Sequence, residues 1–142
     1  MGNERPSLMT ILRFHLLIAL LLTPLAFTQT QQLPDPHQVP VMDGEAGPCS
    51  VSFTVTDDKG APVYDARIRV HIAYGFAGVR RLDLEAATNV DGKTQIKGLP
   101  EKVKGGTLTF HAVQGKREGL AVYDPLKSCT RGDNDSIVLT AK

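Results

Sequence analysis

The side chains with which this 142-residue chain could do chemistry are four histidines, three tyrosines, two cysteines and a set of turn aspartates. Cys49 and Cys129 stand just before the first and the last of the strands marked by alternation. An even cysteine count in an exported chain points to a disulfide. Closing a loop of about 80 residues is worth roughly 4 kcal/mol in the chain-entropy model. His71 and His111 fall on outward positions, and on neighbouring strands their imidazoles would form a cross-strand pair. A metal needs a third ligand, and none is evident, so no metal and no cofactor is expected. His37 lies in a polar, proline-rich stretch and reads as solvated. Asp57, Asp58, Asp91, Asp133 and Asp135 sit at turns. Such carboxylates can hold calcium, but turn aspartates ordinarily bond their own backbone. Tyr64, Tyr74 and Phe76 lie at or near two loops, where exposed rings would offer a contact for a partner or a glycan. Arg131-Gly132-Asp133 is a tripeptide that integrins read, although three residues recur by chance. There is no Gly-x-Ser-x-Gly elbow, and no motif assembles Ser, His and an acid. No catalytic residue is assigned.

The elements that must position these groups begin after an N-terminal leader. Arg13 precedes an apolar run, Phe14–Leu22, that Pro24 breaks, and Ala26-Phe27-Thr28 offers a cleavage site. That order is a secretory signal peptide over residues 1–28, with an apolar run too short to span a bilayer. Residues 29–48 are rich in Gln, Pro and Gly and read as a disordered stalk or flexible linker. Residues 1–30 contribute Arg5, Arg13 and Glu4, so the rest has equal numbers of basic and acidic side chains. That balance excludes the basic stripe of a nucleic-acid binder and a polybasic membrane anchor.

From residue 49 alternation takes over. Val51, Phe53 and Val55 share one face, and Asp57-Asp58-Lys59-Gly60 makes a turn. Ile68, Val70 and Ile72 oppose Leu82, Leu84 and Ala86 across a hairpin with its tip at Phe76. That register sets Val70 against Leu82 and Ile68 against Leu84, with Arg69 meeting Asp83 and Arg67 meeting Glu85 outside. Further strands run over Lys93–Lys97, Thr107–Val113, Glu118–Tyr123 with Leu120 and Val122 inward, and Asp135–Ala141. No stretch has a helical period.

Asp57…Gly60-Ala61-Pro62-Val63…Ala66…Ile68…Val70, followed by Thr88-Asn89…Asp91-Gly92…Ile96…Gly98-Leu99-Pro100, resembles the carboxypeptidase regulatory-like domain family. Asn89 stands where that pattern has Asp, and Thr94 where it has an aromatic. The resemblance implies a transthyretin-like or immunoglobulin-like sandwich serving as an accessory module. Related folds include two enzyme types. Hydroxyisourate hydrolases carry a His in the first strand, absent from Val51–Thr56. Intradiol dioxygenases hold iron with two Tyr and two His; Tyr64, Tyr74, Tyr123, His71 and His111 supply the residue types but no His-x-His.

The expected molecule is all-β, a seven-stranded antiparallel β-sandwich over residues 49–142, secreted or periplasmic after signal cleavage. Its expected role is that of a non-catalytic module for protein interaction or envelope structure, not an enzyme. Its partner would be a protein or polysaccharide of the cell envelope, with no nucleic acid and no membrane. Carbohydrate binding and a small metal-dependent enzyme on a transthyretin-like fold are the alternatives.

Overall fold

The computed structural model describes residues 33–129 and 134–141. The leader and the Arg131–Asp133 tripeptide lie outside the described residues. Alternating β-branched and aromatic residues, cut by Gly and Asp turns, give eight strands: β1 (Val41–Asp43), β2 (Cys49–Asp57), β3 (Arg67–Tyr74), β4 (Arg80–Ala87), β5 (Lys93–Leu99), β6 (Leu108–Gln114), β7 (Arg117–Tyr123) and β8 (Asn134–Ala141). A single helical turn, Pro125–Ser128, precedes Cys129.

The architecture is all-β, but it is not the expected seven-stranded antiparallel sandwich. The strands form one sheet in the order β1-β5-β2-β8-β7-β6-β3-β4. β8 makes the difference, running parallel to β2 from Ser52↔Asn134 to Asp57↔Leu139 and antiparallel to β7 at Arg117↔Ala141 and Glu118↔Thr140. It thereby joins what would otherwise be two sheets. The sheet curls until its edges nearly meet: a Cβ placed on Gly44, just past β1, would stand 3.0 Å from Leu84 of β4. The result is a nearly closed, barrel-like wall, which hides most strand edges.

Inward residues of β2, β3, β6, β5 and β8 fill the interior. Phe53 and Phe110 pack with ring centroids 4.7 Å apart, and Tyr123 meets Phe110 edge-on at 6.5 Å. Burying each such ring stabilises the fold by roughly 1.5–3 kcal/mol. Cys49 and Cys129 are joined in a disulfide across a separation of 80 residues, as their number and placement predicted.

The structure differs from the sequence expectation in three places. Within residues 29–48, expected as a flexible linker, Val41–Asp43 form β1 and pair in parallel with Gln95–Lys97 of β5. The β3–β4 hairpin turns at Ala77 (φ 54°) instead of Phe76. Each residue keeps its face but meets a partner two positions further on: Val70 opposes Leu84, and Arg69 opposes Glu85. In β7 the faces are reversed. Leu120 and Val122 point out, while Gly119, Ala121 and Tyr123 point in. The cause is crowding at the β7–β8 seam, where a Cβ on Gly119 would come within 2.5 Å of the Val138 carbonyl. Small residues take that side, and the Tyr123 ring supplies the volume beyond it.

Candidate functional site

Strand pairing sets Glu85, Arg69, His111 and Leu120 side by side across the outer face of β4, β3, β6 and β7. Arg69 and His111 line two adjoining grooves on that face. One continues toward Leu120, Val138 and Thr140; the other toward His71, Asp83 and Glu85. The face therefore changes character along its length, from charged to apolar.

At the charged end Glu85 accepts from two guanidinium groups, Arg67 Nη1 at 2.9 Å and Arg69 Nε at 2.5 Å. The Arg67 hydrogen bond, then that of Arg69, holds the Glu85 carboxyl below the ordinary range, and Arg67 is pushed up in turn. Asp83 was expected opposite Arg69. It instead lies 2.6 Å from His71 Nδ1, because the hairpin tip is one residue further along. At the apolar end Leu120, Val122 and Val138 are 61%, 64% and 51% exposed. Single exposed aliphatics are ordinary, but three on adjacent strands make a patch.

His71 and His111 do come together at one groove, on neighbouring strands as anticipated. No third ligand joins them. Among the described residues no three His, Cys, Asp or Glu side chains are placed to hold a metal ion. Nor do the tyrosines converge on them: Tyr123 is 2% exposed in the core, and Tyr64 precedes β3 while Tyr74 ends it. An iron site of two Tyr and two His does not fit this arrangement. The calcium reading finds little support in the Asp57 turn. There Oδ1 accepts from the backbone N–H groups of Lys59 and Ala61, both at 2.9 Å, and the Ala61 bond first of all lowers the Asp57 pKa.

Tyr64, Tyr74 and Phe76 do not form one platform. Tyr64 and Phe76 are 62% and 92% exposed, but Tyr74 packs against the core. The eight residues of β3 separate Tyr64 from Phe76, roughly 25 Å of extended chain. Alternation marked the charged ladder, but the apolar end was missed, since Leu120 and Val122 looked like core. Gly119 beside them was the available signal.

No protein-family model matches the chain, and neither does any curated protein. Solved structures match the chain at low identity and with TM-scores below 0.5. A 3-chlorocatechol 1,2-dioxygenase from Rhodococcus opacus 1CP is 12% identical, with a TM-score of 0.46 over 79% of this chain and 69% of that one. A hydroxyquinol 1,2-dioxygenase from Pseudomonas putida DLL-E4 is also 12% identical, with a TM-score of 0.43 over 75% and 63%. A catechol 1,2-dioxygenase variant of Acinetobacter radioresistens has a TM-score of 0.45, and the chain covers 59% of it. All three carry the names of dioxygenases. The expectation of a non-catalytic module for protein interaction or envelope structure is withdrawn on that finding, and with it the statement that the chain is not an enzyme. At these scores the likeness carries no reaction over to this chain.

Proposed function

We propose that the outer face of β3, β6, β7 and β8 binds a small amphipathic carboxylic acid. The observation that carries this reading is the row Arg69–His111–Leu120, bordered by Val138 and Glu118, which sets the hydrogen-bond donors of His111 and of Arg69, itself paired with Glu85, against an exposed apolar floor. An acid head would take hydrogen bonds from Arg69 and His111, and a hydrocarbon or aryl body would cover the patch. Covering three exposed aliphatics favours binding, at about 25 cal/mol per Å² of apolar surface removed from water. Benzoate and decanoate are the probes, titrated into isotope-labelled protein and followed by amide NMR. Saturable shifts confined to β3, β6, β7 and β8, abolished by Leu120→Glu, support the reading. Shifts scattered over other faces, or unchanged by Leu120→Glu, would sink it.

A second reading rests on His71. Its Nδ1 contact with Asp83 resembles the way a carboxylate orients an imidazole for proton transfer. The groove would then process the bound acid, with His71 taking or giving the proton. His71→Gln should abolish turnover of such a substrate while leaving benzoate or decanoate binding intact; loss of both would refute it. Export to an oxidising compartment belongs to the same proposal, supported by the Cys49–Cys129 bond. Kinship with the carboxypeptidase regulatory-like domain is likewise proposed, on the turn residues around Gly60 and Gly92.

A further inference from the structure

A different groove lies at the C-terminal end of β4, between residues 34–41 and the approach to β3. It is lined by Pro36, Gln38, Val39, Tyr64, Asp65 and Asn89, among others. The segment forming its wall is fixed along its length. Asn89 Nδ2 donates to the His37 carbonyl at 2.8 Å, and Thr94 Oγ1 donates to the Pro40 carbonyl at 3.1 Å. The Gln95 N–H reaches Pro40 at 2.9 Å as well. On the opposite wall, Tyr64 presents an exposed ring from a backbone held by Gln114 Nε2, which donates to its carbonyl at 2.7 Å. Asp65, next to it, has φ of 52°, a left-handed conformation that costs a non-glycine residue energy. Strain of this kind, beside an exposed aromatic in a groove, marks a place to look for a ligand.

We infer that this groove binds a neutral sugar chain, with one pyranose ring stacked on Tyr64. Among its described lining residues are two carboxylates, Asp35 and Asp65, and no lysine or arginine. Asp35 accepts from the His37 N–H and Asp65 pairs with Arg67 at 3.3 Å, so each is held in place with lone pairs left to accept from hydroxyl groups. Pro36, Val39 and the Tyr64 ring give the apolar surface that the C–H face of a sugar covers. A quaternary ammonium calls for a cage of several aromatics, and among the described residues Tyr64 alone supplies one to the groove. The groove is separate from the Arg69 face, so this inference stands or falls independently of the acid-binding reading.

The test uses the chain of residues 33–142 and the full-length chain side by side, with two probes at millimolar concentration, cellotetraose and mannotetraose, followed by amide NMR. The expected result is saturable shifts at Tyr64, Asp65 and Val90 with one of them. Tyr64→Ala should weaken binding by about tenfold, whereas Tyr64→Phe keeps the ring and the affinity. Phe76→Ala, at the far end of β3, should leave binding unchanged. The absence of shifts with both sugars would overturn the inference, as would binding that survives Tyr64→Ala. Choline chloride producing the same shifts while both sugars produce none would also overturn it. If Tyr64→Ala fails to fold, the wild-type shift map and the Tyr64→Phe and Phe76→Ala variants still decide.

Discussion

Two turns of this molecule share one construction and differ by one atom type. In the first, Asp57 Oδ1 accepts from the N–H groups two and four residues on, Lys59 and Ala61. In the second, Asn89 Oδ1 accepts from Asp91 at 3.0 Å and Lys93 at 2.8 Å, the same offsets. Each has a glycine in the left-handed region three residues past the acceptor, Gly60 at φ 80° and Gly92 at φ 70°. The first turn is exposed and ends in its own hydrogen bonds. The second is tucked in: Asn89 is 4% exposed, and its amide nitrogen bonds the His37 carbonyl. Aspartate would serve the turn equally well. Only asparagine, with an acceptor and a donor on one side chain, serves the turn and residues 34–41 together.

The sharpest way to break the equivalence is to add a methyl group to each glycine. At Gly92 the new Cβ would stand 2.4 Å from the Val55 carbonyl, whereas at Gly60 nothing lies within 4 Å. Gly92→Ala should cost about 3 kcal/mol, adding steric overlap to left-handed strain, and Gly60→Ala about 1 kcal/mol from strain alone. Urea unfolding of the two variants measures the gap; equal losses would mean that the second turn is no more enclosed than the first.

Exchanging the polar side chains comes next. Asn89→Asp keeps the acceptor, removes the donor and sets a carboxylate against a carbonyl, for a loss of about 2–3 kcal/mol. Asp57→Asn should lower the urea midpoint only slightly at neutral pH, because the amide oxygen still accepts from Lys59 and Ala61 and only the charge is lost. Faster amide exchange at Gln95, whose N–H binds Pro40, would show that Asn89→Asp has released the segment. Thr94→Val should cost less, about 1 kcal/mol, because the Pro40 carbonyl keeps its bond from Gln95.

The smallest effect separates the turns by pH. His37 Nδ1 lies 3.0 Å from Asp91 Oδ2, and this hydrogen bond raises the His37 pKa above the ordinary 6.5. A raised folded-state pKa gives a contribution that is complete below 6.5 and disappears as pH climbs through the folded value. Asp57 has the opposite sign: its lowered pKa gives a contribution held above the ordinary carboxylate value and lost as pH falls through the folded one. NMR titration should place the His37 midpoint above 6.5, and Asp91→Asn should bring it back. An unchanged midpoint in that variant would remove Asp91 as the cause.

Alternation made β2 to β8 legible, along with the facing of most core residues, because period two is a local property of the chain. It failed where distant segments set the outcome. β1 has three residues in a proline-rich stretch, and only the β5 edge makes them a strand. The facing of β7 follows from the approach of β8 to Gly119, invisible from β7 alone. The parallel β2–β8 pairing joins residues about 80 apart and has no local signature. The candidate site was legible in its charged half and hidden in its apolar half for the same reason. Asn89 and Thr94, the two departures from the resembled pattern, were visible but unexplained. Both turn out to hold the segment around His37 and Pro40.

The position of β8 has a consequence for how the chain is made. It is synthesised about 80 residues after the strand it lies parallel to, and until it arrives both β2 and β7 present unpaired edges. A nascent or truncated chain lacking it exposes two sticky borders at once, when its interior is already apolar. The thiols of Cys49 and Cys129 sit at the entrances to β2 and β8, so oxidation brings the late strand to its slot. In a cell, the interval between translation of β7 and that oxidation is when this protein most needs a chaperone.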